Sequence, residues 1–175
     1  VNVDMDRAVA AVRAANEFAW SWTAEDLPAF AASTGWRLED VGKRYPRLVT
    51  DIEVNRPDTM TFISEPPAPF PLGQLNEIIF DVADYLVDDP DRKPALNAVF
   101  DEFVQRVFET VRQRPTGWWV EPTRGLRWEF PDLVLEVTVG DQSVWVTLTN
   151  PAYHRWNEEI ARIVEQQQED EEDDD

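Results

Sequence analysis

The chain has 175 residues, no cysteine, one histidine, and 35 acidic against 16 basic side chains, giving a net charge of -19. That length fits one ordinary domain with its own core, and the missing cysteines remove disulfides, thiolate nucleophiles, iron–sulfur clusters and the usual zinc sites, as suits a reducing cytoplasm. An anionic surface disfavours nucleic acid and anionic membranes, which demand cationic contacts, and favours a basic protein as partner.

From Asp4 to about Trp20, Met5, Val9, Val12, Ala15 and Ala19 recur at steps of three and four, which predicts a first helix. Thr23 with Asp26 resembles a capping box, so a second helix is expected from about Ala24 to Thr34, with Gly35 as a left-handed C-cap. The period then changes. Trp36–Glu39, Arg47–Glu53 and Thr59–Ser64 read as strands of an antiparallel meander, with turns at Gly42, Pro46 and 55–58. The run 65–71 holds four prolines and is read as a stiff extended connector.

Leu75–Val87 fits either period and is assigned to a strand. Leu96, Val99, Phe100, Phe103, Val104, Val107, Phe108 and Val111 form a stripe over four turns, which predicts a central core helix closed by Pro115. Beyond it, Trp118–Val120, Leu126–Phe130, Leu133–Val139 and Val144–Leu148 read as short strands joined at Gly125, Pro131-Asp132 and the hairpin turn Gly140-Asp141. Asn150 is placed to cap, and Pro151 to start, a last helix with Tyr153, Trp156, Ile160 and Ile163 on one face. The expected fold class is α+β: a mainly antiparallel sheet with N-terminal helices, a central core helix and a C-terminal helix. The domain is placed at residues 1–168, and the run of seven acids at 169–175 is read as an acidic C-terminal tail. Without that tail the remaining chain still carries -12, from -19 + 7.

The residues carry no nucleophile elbow, no phosphate-cradling glycine loop and no His-rich spacing, so no catalytic residue, metal ligand or cofactor is assigned, and the chain is read as a binder with no enzyme activity. No run of about 18 apolar residues predicts a membrane span. His154 is read as a surface or capping histidine. In the stretch 117–128, GWWVEPTRGLRW, adjacent Trp118 and Trp119 must face opposite sides of a strand, so only one is expected to enter the core, while Trp128 alternates with Leu126 and Phe130 as a core residue. Trp118, Trp119, Glu121 and Arg124 are the candidate partner-binding residues, since Trp and Arg are enriched at interface hot spots.

The passages Phe18–Trp22, Ala24–Leu38, Trp128–Phe130 and Val144–Asn150 resemble a family of small acidic actinobacterial immunity proteins of toxin systems. The resemblance spans most of residues 5–165. It implies a cytoplasmic antitoxin that inhibits a cognate secreted NAD-hydrolysing toxin by occluding an active site made electropositive to hold the dinucleotide. A cytosolic secretion chaperone for an exported protein is the alternative. A carbohydrate-acting enzyme, with tryptophans as sugar platforms and two carboxylates as acid and base, is a third.

Overall fold

Asp4 opens the first helix as its spacing requires, its carboxylate accepting the backbone N–H of Arg7 at 3.3 Å. The computed structural model describes residues 1–39, 47–66, 70–86 and 88–172, with 171 and 172 as backbone only. The expected turns at Gly42 and Pro46, the middle of the proline run, Val87 and residues 173–175 lie outside that set. After the short β1 (Asn2–Val3), α1 (Met5–Glu17) buries Ala8, Val9, Ala11, Val12 and Ala15. It stops before the expected Trp20, because the Trp20 indole N–H donates to the Ala15 carbonyl at 2.9 Å and leaves Ala19 exposed.

Thr23 is not the cap of α2 (Asp26–Thr34), whose N-cap position is Glu25. Asp26 instead reaches back further, accepting the backbone N–H groups of Ser21 and Trp22 at 2.9 and 2.6 Å and the Ser21 hydroxyl at 2.7 Å. These bonds hold Trp22 at φ 56°, where its ring stacks on Trp20 and its indole N–H donates to the Asp132 carbonyl at 2.8 Å. Gly35 is the C-cap in the left-handed region, as expected.

The meander forms only in part: the third expected segment meets the second at the antiparallel bridge Val49–Asp58 and through the Thr59 N–H donated to the Leu48 carbonyl at 2.9 Å. β2 (Arg37–Glu39) and β3 (Arg47–Val49) pair antiparallel as a separate two-stranded sheet. Asp51-Ile52-Glu53, expected to continue β3, is turn: Thr50 donates its N–H to Pro57 at 2.8 Å and its hydroxyl accepts from Ile52. β4 (Met60–Ile63) then joins the main sheet by pairing with β5 (Leu75–Asp84), the segment that fitted either period.

α3 (Arg92–Val111) buries Leu96, Phe100, Phe103, Val107 and Val111, each contributing about 1.5–3 kcal/mol of transfer free energy. Phe108 follows Val107 by one residue, about 100° round the helix, and is left exposed. The remaining strands are β6 (Gly117–Trp119), β7 (Arg124–Glu129), β8 (Val134–Val139) and β9 (Ser143–Thr149). The main sheet runs β1-β5-β9-β8-β7-β6, with β4 beside β1 on the outer edge of β5. All its pairings are antiparallel. The fold is therefore α+β.

Cross-strand register sorts the sheet into two faces. On the inner face Ile78 opposes Leu148, Phe80 opposes Val146, and Val137 and Leu135 continue the rows to Leu126 and Trp128. Helices α1 and α3 pack on one another, and α3 lies against β5, β8 and β9. Trp128 is buried there, its indole N–H donating to the Gln113 carbonyl at 3.0 Å. Asn150 accepts the Ala152 N–H at 3.0 Å and starts α4 (Pro151–Glu172), which continues past residue 168 into the acidic run. Among the described residues no helix is long and apolar enough to cross a membrane.

Candidate interaction face

The outer face of the sheet is where polar and aromatic side chains alternate with the core. One row across the strands is Trp119, Gly125, Thr138, Trp145 and Asp81; the next is Arg127, Glu136, Thr147, Ile79 and Met60. Two glycines make room for two indoles. A Cβ on Gly125 would lie 2.2 Å from Trp119 Cζ2, and one on Gly140 would lie 2.8 Å from Trp145 Cζ3. Gly125, expected as a joint between strands, thus sits within β7 as the cross-strand partner that Trp119 covers.

Among the described residues the first turns of α4, with Phe70, cover part of this face. Tyr153 and Trp156 pack on Phe70 with ring centroids at 5.4 and 6.0 Å. Ile160 and Ile163 continue their stripe but are exposed, as is Val164. His154 is not at the surface: it is 7 % exposed, with Nε2 at 3.4 Å from Glu129 and 3.3 Å from Glu158. Arg127 extends the cluster, 3.8 Å from Glu158, 3.6 Å from Glu136 and 5.5 Å from the Trp119 ring centroid. His154 therefore lies buried between α4 and the end of β7.

Among the described residues the rest of the face is open and carries carboxylates. Burial, then the charge of Glu136, pushes the Glu77 carboxyl above its ordinary range. Asp81 is pushed up to about 6, first by burial and then by Asp84, against smaller opposing effects of the Ser143 hydroxyl and Arg56. A β-bulge beside Asp81 shifts the β5–β9 register, so that Ala83 rather than Val82 opposes Val144. Asp81 consequently lies beside Ser143 in a groove of about 620 Å³ lined also by Arg56, Met60, Ile79 and Trp145. Asp84, 1 % exposed, fixes the groove wall by accepting the Asn55 N–H and side-chain amide, both at 2.9 Å, and the Arg56 N–H at 2.8 Å.

A raised carboxyl pKa makes ionisation unfavourable to the fold. As pH rises from the unfolded value of 3.8 to about 6, the unfolded chain gives up the Asp81 proton first, so stability is lost across that window and stays lower above it. Asp81→Asn is therefore expected to match the wild type near pH 4 and to exceed it by about 1–2 kcal/mol above pH 6.5, after allowance for the partial exposure of the site. Urea midpoints at both pH values measure the gap. A gap equal at both, or of opposite sign, contradicts the assignment.

The four candidate residues of the tryptophan stretch do not form one patch. Trp118 is 74 % exposed on edge strand β6, on the inner-face side opposite Leu126, whereas Trp119 is half-buried on the outer face. Neither enters the core, because β6 is the last strand and its inner side extends past the helices. Arg124 packs its guanidinium over Phe100 at 4.4 Å and pairs with Asp101 at 2.5 Å, a structural tie to α3. Only Glu121 and Arg124 come together, around a small hollow of about 230 Å³ at the end of the sheet. The sequence reading missed Asp81, Glu77 and Trp145, whose signal was polar and aromatic residues on the outward positions of otherwise apolar strands. Among the described residues no group of three or more His, Asp or Glu side chains is disposed to hold a metal ion.

The profile of a family of unknown function, DUF6301, matches residues 6–150, most of the chain, and the chain belongs to that family. The match runs from α1 to the Asn150 cap and so includes every strand from β2 to β9, but not α4. Comparison with curated proteins and with solved structures returns no match.

Proposed function

We propose that this DUF6301 protein is an immunity protein, a binder with no reaction of its own that blocks a secreted NAD-hydrolysing toxin through the outer sheet face. The observation that carries the reading is the set of half-buried carboxylates on that open face, Glu77 and Asp81 above all, whose ionised forms burial disfavours. A cationic partner surface relieves that penalty, so the face binds more strongly to basic surfaces than its exposed area alone provides. A pocket that holds a dinucleotide must accommodate an anionic pyrophosphate, and an electropositive pocket is what an acidic face complements. The toxin class itself comes from the resemblance of the tryptophan-bearing segments to immunity proteins, and cytoplasmic residence goes with it.

Mixing the protein with a secreted NAD-hydrolysing toxin domain and following NAD loss tests the reading. Turnover is expected to cease at one equivalent; undiminished turnover at equimolar protein contradicts it. Binding confined to an unfolded or signal-bearing segment of an exported protein points to the secretion chaperone instead.

A further inference from the structure

The geometry points to a more specific contact: we propose that the groove between β4, β5 and β9 receives an arginine or lysine side chain of the protein partner, with the Asp81 carboxylate as counter-ion and the Trp145 ring as wall. The proposal rests on the reading above that the partner is a basic protein.

The volume of about 620 Å³ falls within the ~300–1,000 Å³ range of ligand clefts. Its walls are set before anything binds. Trp145 leans on Gly140, where a side chain would collide with it, and the 55–56 segment is held by Asp84 from the end of β5. Met60 and Ile79 give an apolar floor that suits the methylene stem of a long cationic side chain, and an indole face attracts the charged head.

The charges around the groove favour a cation as occupant. Asp81 makes no salt bridge among the described residues, although Ser143 and the charge of Arg56 both favour its ionised form. The other acids nearby are committed: Asp84 is filled by three N–H donors, and Asp58 lies 3.5 Å from Arg47. Among the described residues Arg56 is the one cation lining the groove, and it makes no salt bridge there. It competes with an incoming cation for Asp81, which gives the proposal a variant expected to gain affinity. The surrounding charge of -19 draws a basic surface toward the face and leaves one position where a single cation is both desolvated and paired.

The test has two arms. In the first, the isolated protein is titrated with the blocked tripeptide Gly-Arg-Gly, with Gly-Gln-Gly as control, and followed by amide and indole NMR shifts. Shifts are expected to concentrate at 55–60, 79–81 and 143–145 and at the Trp145 indole N–H. Asp81→Asn should weaken binding about 10-fold or more, as loss of a charge-assisted hydrogen bond does, and Arg56→Gln should strengthen it. Shifts spread evenly over the acidic surface, an equal response to the glutamine peptide, or undiminished binding by Asp81→Asn overturns the proposal.

In the second arm the same variants are assayed for protection of NAD against the toxin. Wild-type protection that Asp81→Asn loses supports the groove, while equal protection by both overturns it and leaves the inhibitor reading standing. A wild type that fails to protect overturns the inhibitor reading, and the peptide titration then decides the groove alone.

Discussion

Replacing Asp84 by alanine is expected to lower the stability of the protein by about 2–4 kcal/mol, the largest loss of any single exchange on the outer face. The carboxylate is 1 % exposed and accepts three hydrogen bonds at 2.8–2.9 Å from Asn55 and Arg56. Bonds to a charged acceptor contribute about 1.5–3 kcal/mol each, but the sum is reduced because removing Asp84 also removes a buried charge and because Asn55 and Arg56 regain water. For a chain of this size about 3 kcal/mol corresponds to a fall in Tm of roughly 6–12 °C. Asparagine is a poor substitute, since its amide would turn a donor toward the N–H of Arg56. A second readout separates this from simple loss of packing: without the Asp84 charge, the Asp81 carboxyl should titrate below its present value of about 6. A stability loss under 1 kcal/mol, or an unmoved Asp81, contradicts the anchoring role.

Gly125→Val is expected to cost about 2–3 kcal/mol although a strand ordinarily prefers valine. The new Cβ would stand 2.2–2.9 Å from three atoms of the Trp119 indole, so the ring must leave its place over β7. It would take with it the contact with Arg127 at 5.5 Å. The edge strand β6 is then held by its backbone pairings with β7 and by the Thr116 bond to the Arg127 carbonyl at 2.7 Å. A lowered denaturation midpoint together with a displaced Trp119 indole resonance is the expected result. An unchanged midpoint, or an unmoved resonance, shows that the glycine is not required by the indole.

These two residues also mark where the sequence was opaque. Where a side-chain period is strong, the reading and the structure largely agree: the stripe that became α3, the alternation through β7, β8 and β9, and the Asn150-Pro151 start of α4; β5, which fitted either period, is a strand as assigned. The errors fall where a distant partner decides. Thr50 ends β3 by bonding to Pro57, Asp26 bonds two N–H groups before Thr23, and His154 is buried where α4 meets the end of β7 near Glu129. The tryptophan stretch divides for the same reason. Register shows that Trp118 has no helix beyond it and that Trp119 has a glycine beneath it. The Asp81 groove was the least legible feature, since its wall is brought from residues 55–56 to β5 by Asp84, a contact no local pattern signals.

The face holds part of the acidity of the folded body. Most of the seven acids of the C-terminal run extend a helix that lies beyond the family match, whereas Glu77, Asp81 and Glu136 stand on strands within it. Charges on mobile or fully solvated positions are screened over about 8 Å at physiological salt, while half-buried ones act with less screening. The sheet, more than the helix, should therefore set specificity.

The most direct test of this account is protection of NAD by the triple variant Glu77→Gln, Asp81→Asn, Glu136→Gln, assayed against the toxin beside the wild type and beside a chain cut after residue 168. With an unchanged circular dichroism spectrum, the triple variant should fail to protect at one equivalent while the shortened chain protects fully. A triple variant that inhibits as well as the wild type, or a shortened chain that alone loses inhibition, would place the interaction elsewhere and contradict the account.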